Sequence, residues 1–189
     1  MVIFKHDGKV LCDNMQWGML PEYEETQSGN IPVLTNARAE GIYSQNAFRF
    51  SFRKRRCLVP MDSFYVHHAL QANDLAYRVT HLSEEIVYAA GVWSSYIDNN
   101  ETIAGFCILN CNSNRDLSDI MPRMPLILKN KEEARLWLDA EEIRDLANVI
   151  SIPESYKFRY YHIANKLHEK LDSPILHEVE KRDITLFDS

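Results

Sequence analysis

The residues best suited to chemistry in this sequence are polar side chains set in three short segments. Many of them are arginines, whose guanidinium groups offer several N–H donors around a permanent positive charge and so suit phosphate groups. No Gly-x-Ser-x-Gly elbow, phosphate-binding glycine loop or His-Glu-x-x-His motif accompanies them. The sequence therefore lacks a standard catalytic constellation. The three segments are TNARAE at 35–40, RRCLVPMDSFY at 55–65 and MPRMPLIL at 121–128.

Histidines and cysteines do not form a recognisable site either. His67 and His68 are the adjacent histidine pair, but neighbouring residues on a strand point to opposite faces, so the two do not serve one site without a bulge. The four cysteines include no Cys-x-x-Cys pair and have no histidine at zinc-ligand spacing. We therefore expect no metal, no cofactor and no disulfide framework. Reduced thiols and the lack of a signal peptide favour a cytoplasmic location.

The charge of the chain is acidic on average but unevenly distributed. Its 21 basic and 27 acidic residues give a net charge of −6, which argues against a nucleic-acid binder held by bulk electrostatics. The segment RFSFRKRR at 49–56 nevertheless contains five basic residues and no acidic one. Charge alone favours a solvated face before a strand, and a local basic patch is the alternative interpretation.

The elements that must position these residues are mainly strands. The chain has 189 residues and 46% hydrophobic residues, which is typical of a single globular domain. Asp7-Gly8 predicts a tight hairpin near the start, and residues 57–110 contain successive Val-, Ile-, Tyr- and Phe-rich segments typical of an antiparallel meander. Asn130 and Asp139 are predicted to cap two helices that pack on the sheet. No segment approaches the roughly 20 apolar residues that span a bilayer, so we expect no membrane partner.

The motifs resemble, in order and spacing, those of the SOS response-associated peptidase (SRAP) family. WGMLP at 17–21, NARAE at 36–40, RRCLVPMDSFY, AGVW at 90–93 and RMPLIL at 123–128 carry this resemblance. It implies an α+β fold that is mainly an antiparallel, β-barrel-like structure with a few peripheral helices, formed by residues 1–189 as a single domain. It also implies a groove that binds single-stranded DNA at abasic sites.

In that family, an N-terminal cysteine forms a covalent crosslink with the ring-opened sugar through its amine and its thiol. The resemblance implies that Asn36 positions the reacting groups and that Arg38 contacts a DNA phosphate. The family's acid/base glutamate, however, falls on Val66, and its histidine falls on Met121. A valine cannot transfer a proton. The family's opening Met-Cys-Gly-Arg is not found at Met1, so we expect the given chain to lack the family's N-terminal segment.

A single strand is bound by cationic side chains combined with apolar or aromatic surfaces on which bases stack. The resemblance places an apolar wedge at WGMLP, and the arginines of the motifs are the candidate phosphate contacts. For Trp17 the alternative is a core residue, and for Arg56 it is a structural ion pair with Asp62. The candidate DNA-binding residues are Trp17, Leu20, Pro21, Arg38, Arg55, Arg56 and Arg123.

Three hypotheses for function follow. The first is an SRAP-like protein of the DNA damage response that binds single-stranded or abasic DNA and has lost covalent crosslinking. The second is an active crosslinking enzyme whose reactive cysteine lies upstream of the given start. The third is a non-catalytic protein-interaction module. The sequence predicts no oligomeric state.

Overall fold

The computed structural model describes residues 1–21, 32–68, 75–98, 101–151 and 155–163. The chain divides into two compact units. The first comprises the described parts of 1–60, 87–112 and 124–152, and the second those of 61–86, 113–123 and 153–189. No helix in these described ranges is long and apolar enough to cross a membrane.

Strands dominate both units, and helices are few and short. The helices are α1 (Arg49–Lys54), α2 (Lys131–Asp139) and α3 (Ala147–Ile150), with 3-10 turns at Ile42–Ser44 and Ile143–Leu146. The strands are β1 (Val2–His6), β2 (Lys9–Asp13), β3 (Gln16–Trp17), β4 (Asn36–Arg38), β5 (Arg56–Met61), β6 (Ser63–His68), β7 (Leu75–His81), β8 (Val87–Asp98), β9 (Glu101–Asn112), β10 (Arg123–Pro125), β11 (Ile127–Leu128) and β12 (Phe158–Ile163).

The larger sheet has the strand order β10-β9-β8-β5-β1-β2. The β1–β2, β1–β5, β8–β9 and β8–β11 pairs are antiparallel, whereas β3 and β4 join β9 in parallel. The smaller sheet is antiparallel, in the order β12-β7-β6. The predicted α+β class with a mainly antiparallel sheet is confirmed. The described strands of the larger sheet follow an open path and do not close into a barrel.

Local sequence signals account for the first hairpin. Asp7 and Gly8 both have positive φ, at 48° and 76°, as a two-residue type I′ turn requires. The turn pairs β1 with β2 from His6 opposite Lys9 to Val2 opposite Asp13. The hairpin predicted from Asp7-Gly8 is therefore confirmed, and β2 ends the strand order of the larger sheet.

The helices agree with the sequence prediction only in part. The Asn130 side chain accepts the Glu133 N–H at 2.8 Å, which confirms the predicted cap of α2. Asp139, predicted to cap the second helix, is instead the last residue of α2, and Glu142 precedes the next helical turn. The basic segment expected as a solvated face before a strand forms α1, in which Arg49, Arg53 and Lys54 are exposed while Ser51 and Phe52 are buried.

In the second unit, a buried carboxylate fixes the approach to β12. Asp116 is 3% exposed, and its Oδ2 accepts the N–H groups of Tyr156 at 2.7 Å and Phe158 at 3.2 Å. The same oxygen accepts the Ser155 hydroxyl at 3.0 Å. Because a buried carboxylate is stable only when well hydrogen-bonded, these donors account for its presence in the interior.

Candidate nucleic-acid interface

One side of β9 brings together three of the predicted site residues, Trp17, Asn36 and Arg38. Strands β3 and β4 both pair with β9, one after the other. Trp17 and Asn36 lie opposite two residues of β9 that are separated by one residue. This separation is about 7 Å along β9. Asn36 and Arg38 are exposed, while Ala37 between them is buried, as the alternation of a strand requires. The paired positions are Trp17 with Phe106, Asn36 with Ile108 and Arg38 with Asn110.

Glycines allow the chain to approach β9 closely beside Trp17. A Cβ atom on Gly105 would lie 2.0 Å from the carbonyl oxygen of Gly18, so any side chain at this position would displace β3. Gly18 has a φ of 124°, a conformation that favours glycine, and its N–H donates to the Phe106 carbonyl at 2.8 Å. Met19 then exchanges backbone hydrogen bonds with Leu34 at 2.9 and 2.8 Å. These contacts join the segment after β3 to the segment before β4.

Trp17 lies on the surface and is held in a defined position. Its side chain is 57% exposed, and its Nε1 donates to the Thr35 carbonyl at 3.0 Å. The alternative that Trp17 is a core residue is therefore wrong. The hydrogen bond ties the indole to the main chain of the residue that immediately precedes Asn36. Asn36 Nδ2 donates to the Thr35 hydroxyl at 3.2 Å.

Arg55 extends this arrangement across the sheet. Trp93, Phe106 and Trp17 form one row across β8, β9 and β3, and residues opposite one another in paired strands share a face. The Arg55 guanidinium lies 5.3 Å from the Trp93 ring and 5.1 Å from the Phe50 ring, within the range of cation–π contact. We call the group formed by Trp17, Asn36, Arg38 and Arg55 the β9 edge surface.

Phe50 and the Thr35 carbonyl also contribute to this surface, and neither was predicted as a site residue from the sequence. Phe50 is 51% exposed beside the Arg55 cation, so the basic segment presents an aromatic face as well as charge. The signal was present in RFSFRKRR, where an aromatic residue lies between arginines. Thr35 contributes through its main-chain carbonyl, which holds Trp17. Because every residue type has a main-chain carbonyl, this role could not be predicted from the identity of the residue.

The rest of the predicted apolar wedge is less accessible than Trp17. Leu20 is half-buried and Pro21 is buried. The Leu20 carbonyl accepts the Ser94 hydroxyl at 3.0 Å, which anchors this segment to β8. Trp17 therefore presents most of the exposed apolar surface of WGMLP.

Arg56 is placed differently from the other predicted DNA-binding arginines. It is 8% exposed, and its Nη1 donates to the Phe52 carbonyl at 2.7 Å. Its Nε and Nη2 donate to the carbonyls of Trp137 and Ala140. Burial lowers the pKa of this guanidinium, and the Asp139 carboxylate partly offsets the effect. Because the donors are directed to buried carbonyls, we leave Arg56 out of the β9 edge surface.

The positions aligned with the family's acid/base residues belong to the second unit. Val66 on β6 is 5% exposed and lies opposite Tyr77. Tyr77 lies opposite His162 on β12, and the centroids of their rings are 5.9 Å apart. Met121 is half-buried, and its N–H donates to the Leu117 carbonyl at 3.0 Å. Arg123 begins β10 and is also half-buried.

The cysteines differ in accessibility. Cys57, Cys107 and Cys111 are buried, while Cys12 is exposed. Burial raises the pKa of the Cys107 thiol to about 12 and raises the pKa of Cys57 as well, so both stay protonated and are poor nucleophiles. Within the described ranges, no three His, Cys, Asp or Glu side chains form a group that could hold a metal ion.

These features define an α+β protein with a mostly antiparallel sheet and an exposed aromatic and polar edge along β9. Residues 1–170 match the family model for SOS response associated peptidase (SRAP). The protein belongs to the SRAP family. The family membership predicted from the five motifs is therefore confirmed.

Curated relatives and solved structures agree with this assignment. The abasic site processing protein YoaM of Bacillus subtilis is 29% identical over 127 residues, which are 66% of this chain and 55% of the relative. The abasic site processing protein HMCES of Mus musculus is 26% identical over 159 residues, which are 68% of this chain and 45% of the relative. The chain thus spans about half the length of the curated relatives it matches.

Two crystal structures share the fold. A protein from Bacteroides thetaiotaomicron has a TM-score of 0.73 and 24% identity, over 89% of this chain and 75% of that protein. A phage-related protein from Bordetella bronchiseptica has a TM-score of 0.65 and 21% identity, over 86% of this chain and 76% of that one. The predicted fold class is therefore supported by structure as well as by sequence.

Proposed function

We propose that this protein acts in the DNA damage response by binding single-stranded DNA, including strands with abasic sites, through the β9 edge surface. We further propose that it does not form a covalent DNA adduct. Its curated relatives are named as abasic site processing proteins, which supports DNA as the partner. The observation that carries the proposal is the placement of exposed Trp17, Asn36 and Arg38 along one edge of β9.

The chemistry of this surface suits an unpaired strand. An exposed indole offers a flat face on which any base can stack, and an arginine offers donors to a phosphate. Asn36 supplies an amide that can both donate and accept a hydrogen bond beside the indole. Because the Trp17 ring is already fixed by its bond to Thr35, little side-chain entropy is lost when a base stacks on it.

The proposed loss of covalent capture rests on two positions. Condensation of an amine with a sugar aldehyde requires proton transfers, and the family uses a glutamate and a histidine for them. Val66 and Met121 have no titratable group. Val66 is also buried within the small sheet, away from solvent. We therefore infer binding without efficient crosslinking.

Binding is tested by fluorescence anisotropy with a labelled single-stranded oligonucleotide at several salt concentrations. Arg38→Ala should make the dependence of log K on log salt less steep by about 0.7, the value for one phosphate contact on a single strand. Trp17→Ala should weaken binding by about 1–3 kcal/mol, and Trp17→Phe should retain most of the affinity. Arg135→Ala, which removes an exposed arginine of α2, is the matched control and should change neither quantity.

Absence of measurable affinity for single strands at low salt would refute the proposed binding. If Arg38→Ala and Arg135→Ala had equal effects, the β9 edge surface would not be the contact site. The first result would favour the protein-interaction hypothesis, and the second would place the DNA contact elsewhere on the protein.

Covalent capture is tested separately. The protein, with its N-terminus determined by mass spectrometry, is incubated with an abasic single-stranded oligonucleotide and heated before denaturing electrophoresis. We expect no heat-stable adduct. A stoichiometric adduct would contradict the proposed loss of crosslinking while leaving the binding proposal intact, and it would favour an active enzyme.

A further inference from the structure

β2 is an exposed edge strand of unusual composition. It ends the strand order of the larger sheet, and all five of its residues, Lys9 to Asp13, are exposed. Val10 is 61% exposed and Leu11 is 41% exposed. In the part of the chain that the structure describes, β2 pairs with β1 alone. An exposed strand edge with apolar side chains is a template for pairing with another strand.

The register of the hairpin shows which backbone groups are available on this edge. A two-residue turn makes His6 and Lys9 a hydrogen-bonded pair, and such pairs alternate along an antiparallel ladder. Leu11, opposite Phe4, therefore directs its N–H and C=O towards β1. The N–H and C=O groups of Val10 and Cys12 point away from β1, towards the free edge.

The sequence of β2, KVLCD, is complementary to itself when two copies run antiparallel. If the pair is centred on Leu11, Val10 lies opposite Cys12 of the second copy, and their outward backbone groups form hydrogen-bonded pairs. Lys9 then lies opposite Asp13 of the second copy, and the same ion pair is repeated at the other end. Opposite charges directly across a ladder stabilise the pairing, whereas like charges oppose it.

We propose that two copies of this protein associate through β2, with the antiparallel register centred on Leu11. The symmetry is two-fold, because each contact occurs twice, and the larger sheet continues from one copy into the other. The contact involves a single five-residue strand from each copy. Such a small interface gives a weak, reversible dimer rather than an obligate one.

Charge substitutions test the register in the full chain. Lys9→Asp places a carboxylate opposite Asp13 at both ends, so sedimentation over a concentration series should show dimerisation weakened by about tenfold or more. The double variant Lys9→Asp, Asp13→Lys reverses both charges and should restore the wild-type dissociation constant. Lys131→Asp makes the same charge change at an exposed position on α2 and should have no effect.

Disulfide trapping tests the same register independently. Residues opposite in a hydrogen-bonded pair have Cα atoms about 5.5 Å apart, which suits a disulfide. Under mild oxidation, Val10→Cys should form a covalent dimer in which the introduced thiol is joined to Cys12 of the second copy, confirmed by peptide mapping. The wild type should form little, because its two Cys12 residues are not opposite one another. Adding Cys12→Ser to Val10→Cys should abolish the crosslink.

Any one of three results would overturn the proposal. The first is that the wild-type chain stays monomeric at the highest concentration at which it is soluble. The second is that the charge-swapped double variant dimerises no better than Lys9→Asp, and the third is that Val10→Cys crosslinks no faster than the wild type. All three measurements are independent of DNA binding, so they leave the proposed function unaffected.

Discussion

Replacing Arg56 should destabilise the first unit rather than remove a DNA contact. Its guanidinium donates to the main-chain carbonyls of Phe52, Trp137 and Ala140. These carbonyls belong to α1, to α2 and to the residue after it, so one side chain joins both helices to the start of β5. Arg56→Ala removes these hydrogen bonds, together with a fourth to the Arg53 carbonyl at 3.2 Å, and leaves buried carbonyls without these donors.

The size of the effect follows from these contacts. A hydrogen bond to a charged group contributes about 1.5–3 kcal/mol, and a buried acceptor left unpaired costs about 1–3 kcal/mol. Water entering the space left by the side chain reduces the total, so we expect the free energy of unfolding to fall by about 3–5 kcal/mol. Arg56→Lys keeps the charge but loses the planar arrangement of donors, so we expect the free energy of unfolding to fall by about 2 kcal/mol.

Urea denaturation measures these changes, with Arg53→Ala as the matched control. Arg53 is an exposed arginine of α1, and replacing its side chain should change stability by no more than about 0.5 kcal/mol. Because Arg56→Ala removes much of a typical domain stability, Arg56→Lys provides a variant that remains folded. The affinity of Arg56→Lys for single-stranded DNA should match that of the wild type. If Arg56→Lys lowered DNA affinity without changing the urea midpoint, the structural role would be refuted.

Further predictions concern other parts of the molecule. Asp116→Ala should destabilise the second unit by about 2–4 kcal/mol, because the donors of Ser155, Tyr156 and Phe158 lose their acceptor. We expect faster hydrogen exchange in β12, and unchanged exchange would contradict this role of Asp116. Gly105→Ala should displace β3 and lower the free energy of unfolding by about 1–3 kcal/mol, because the new Cβ would meet the Gly18 carbonyl oxygen at 2.0 Å. A variant with wild-type stability and DNA affinity would contradict the close approach of β3 to β9. A thiol reagent at neutral pH should modify Cys12 alone in the native protein and all four cysteines after denaturation. Rapid labelling of more than one thiol in the native protein would contradict the burial of Cys57, Cys107 and Cys111.

Cys107 and Cys57 also make stability depend on pH. Burial raises the pKa of Cys107 to about 12, and the pKa of Cys57 is raised in the same direction. The folded protein therefore holds these protons after the unfolded chain has released them. Their contribution to stability is complete below about pH 8.5 and decreases as the pH rises above it. Cys57→Ala should reduce this alkaline decrease in a series of urea denaturations, and an unchanged pH dependence would exclude Cys57 as a source.

Local sequence patterns determined much of the fold. Asp7-Gly8 determined the first hairpin because a type I′ turn needs two residues that tolerate positive φ. Asn130 determined the start of α2 because its side chain accepts the Glu133 N–H three residues later. The motifs also determined the family, since their order along the chain needs no knowledge of contacts. Each turn, cap or motif is a signal contained in a few consecutive residues.

Tertiary structure decided where the candidate site lies and which arginines it includes. Arg55 and Arg56 are neighbours in sequence, yet one lies against the Phe50 and Trp93 rings and the other is buried against main-chain carbonyls. Charge cannot distinguish them, because the distinction depends on α2, about eighty residues away. Trp17 and Asn36 likewise become neighbours only because β3 and β4 both pair with β9. Pairing between distant segments depends on packing of the whole unit, so it has no local signature from which it could have been predicted.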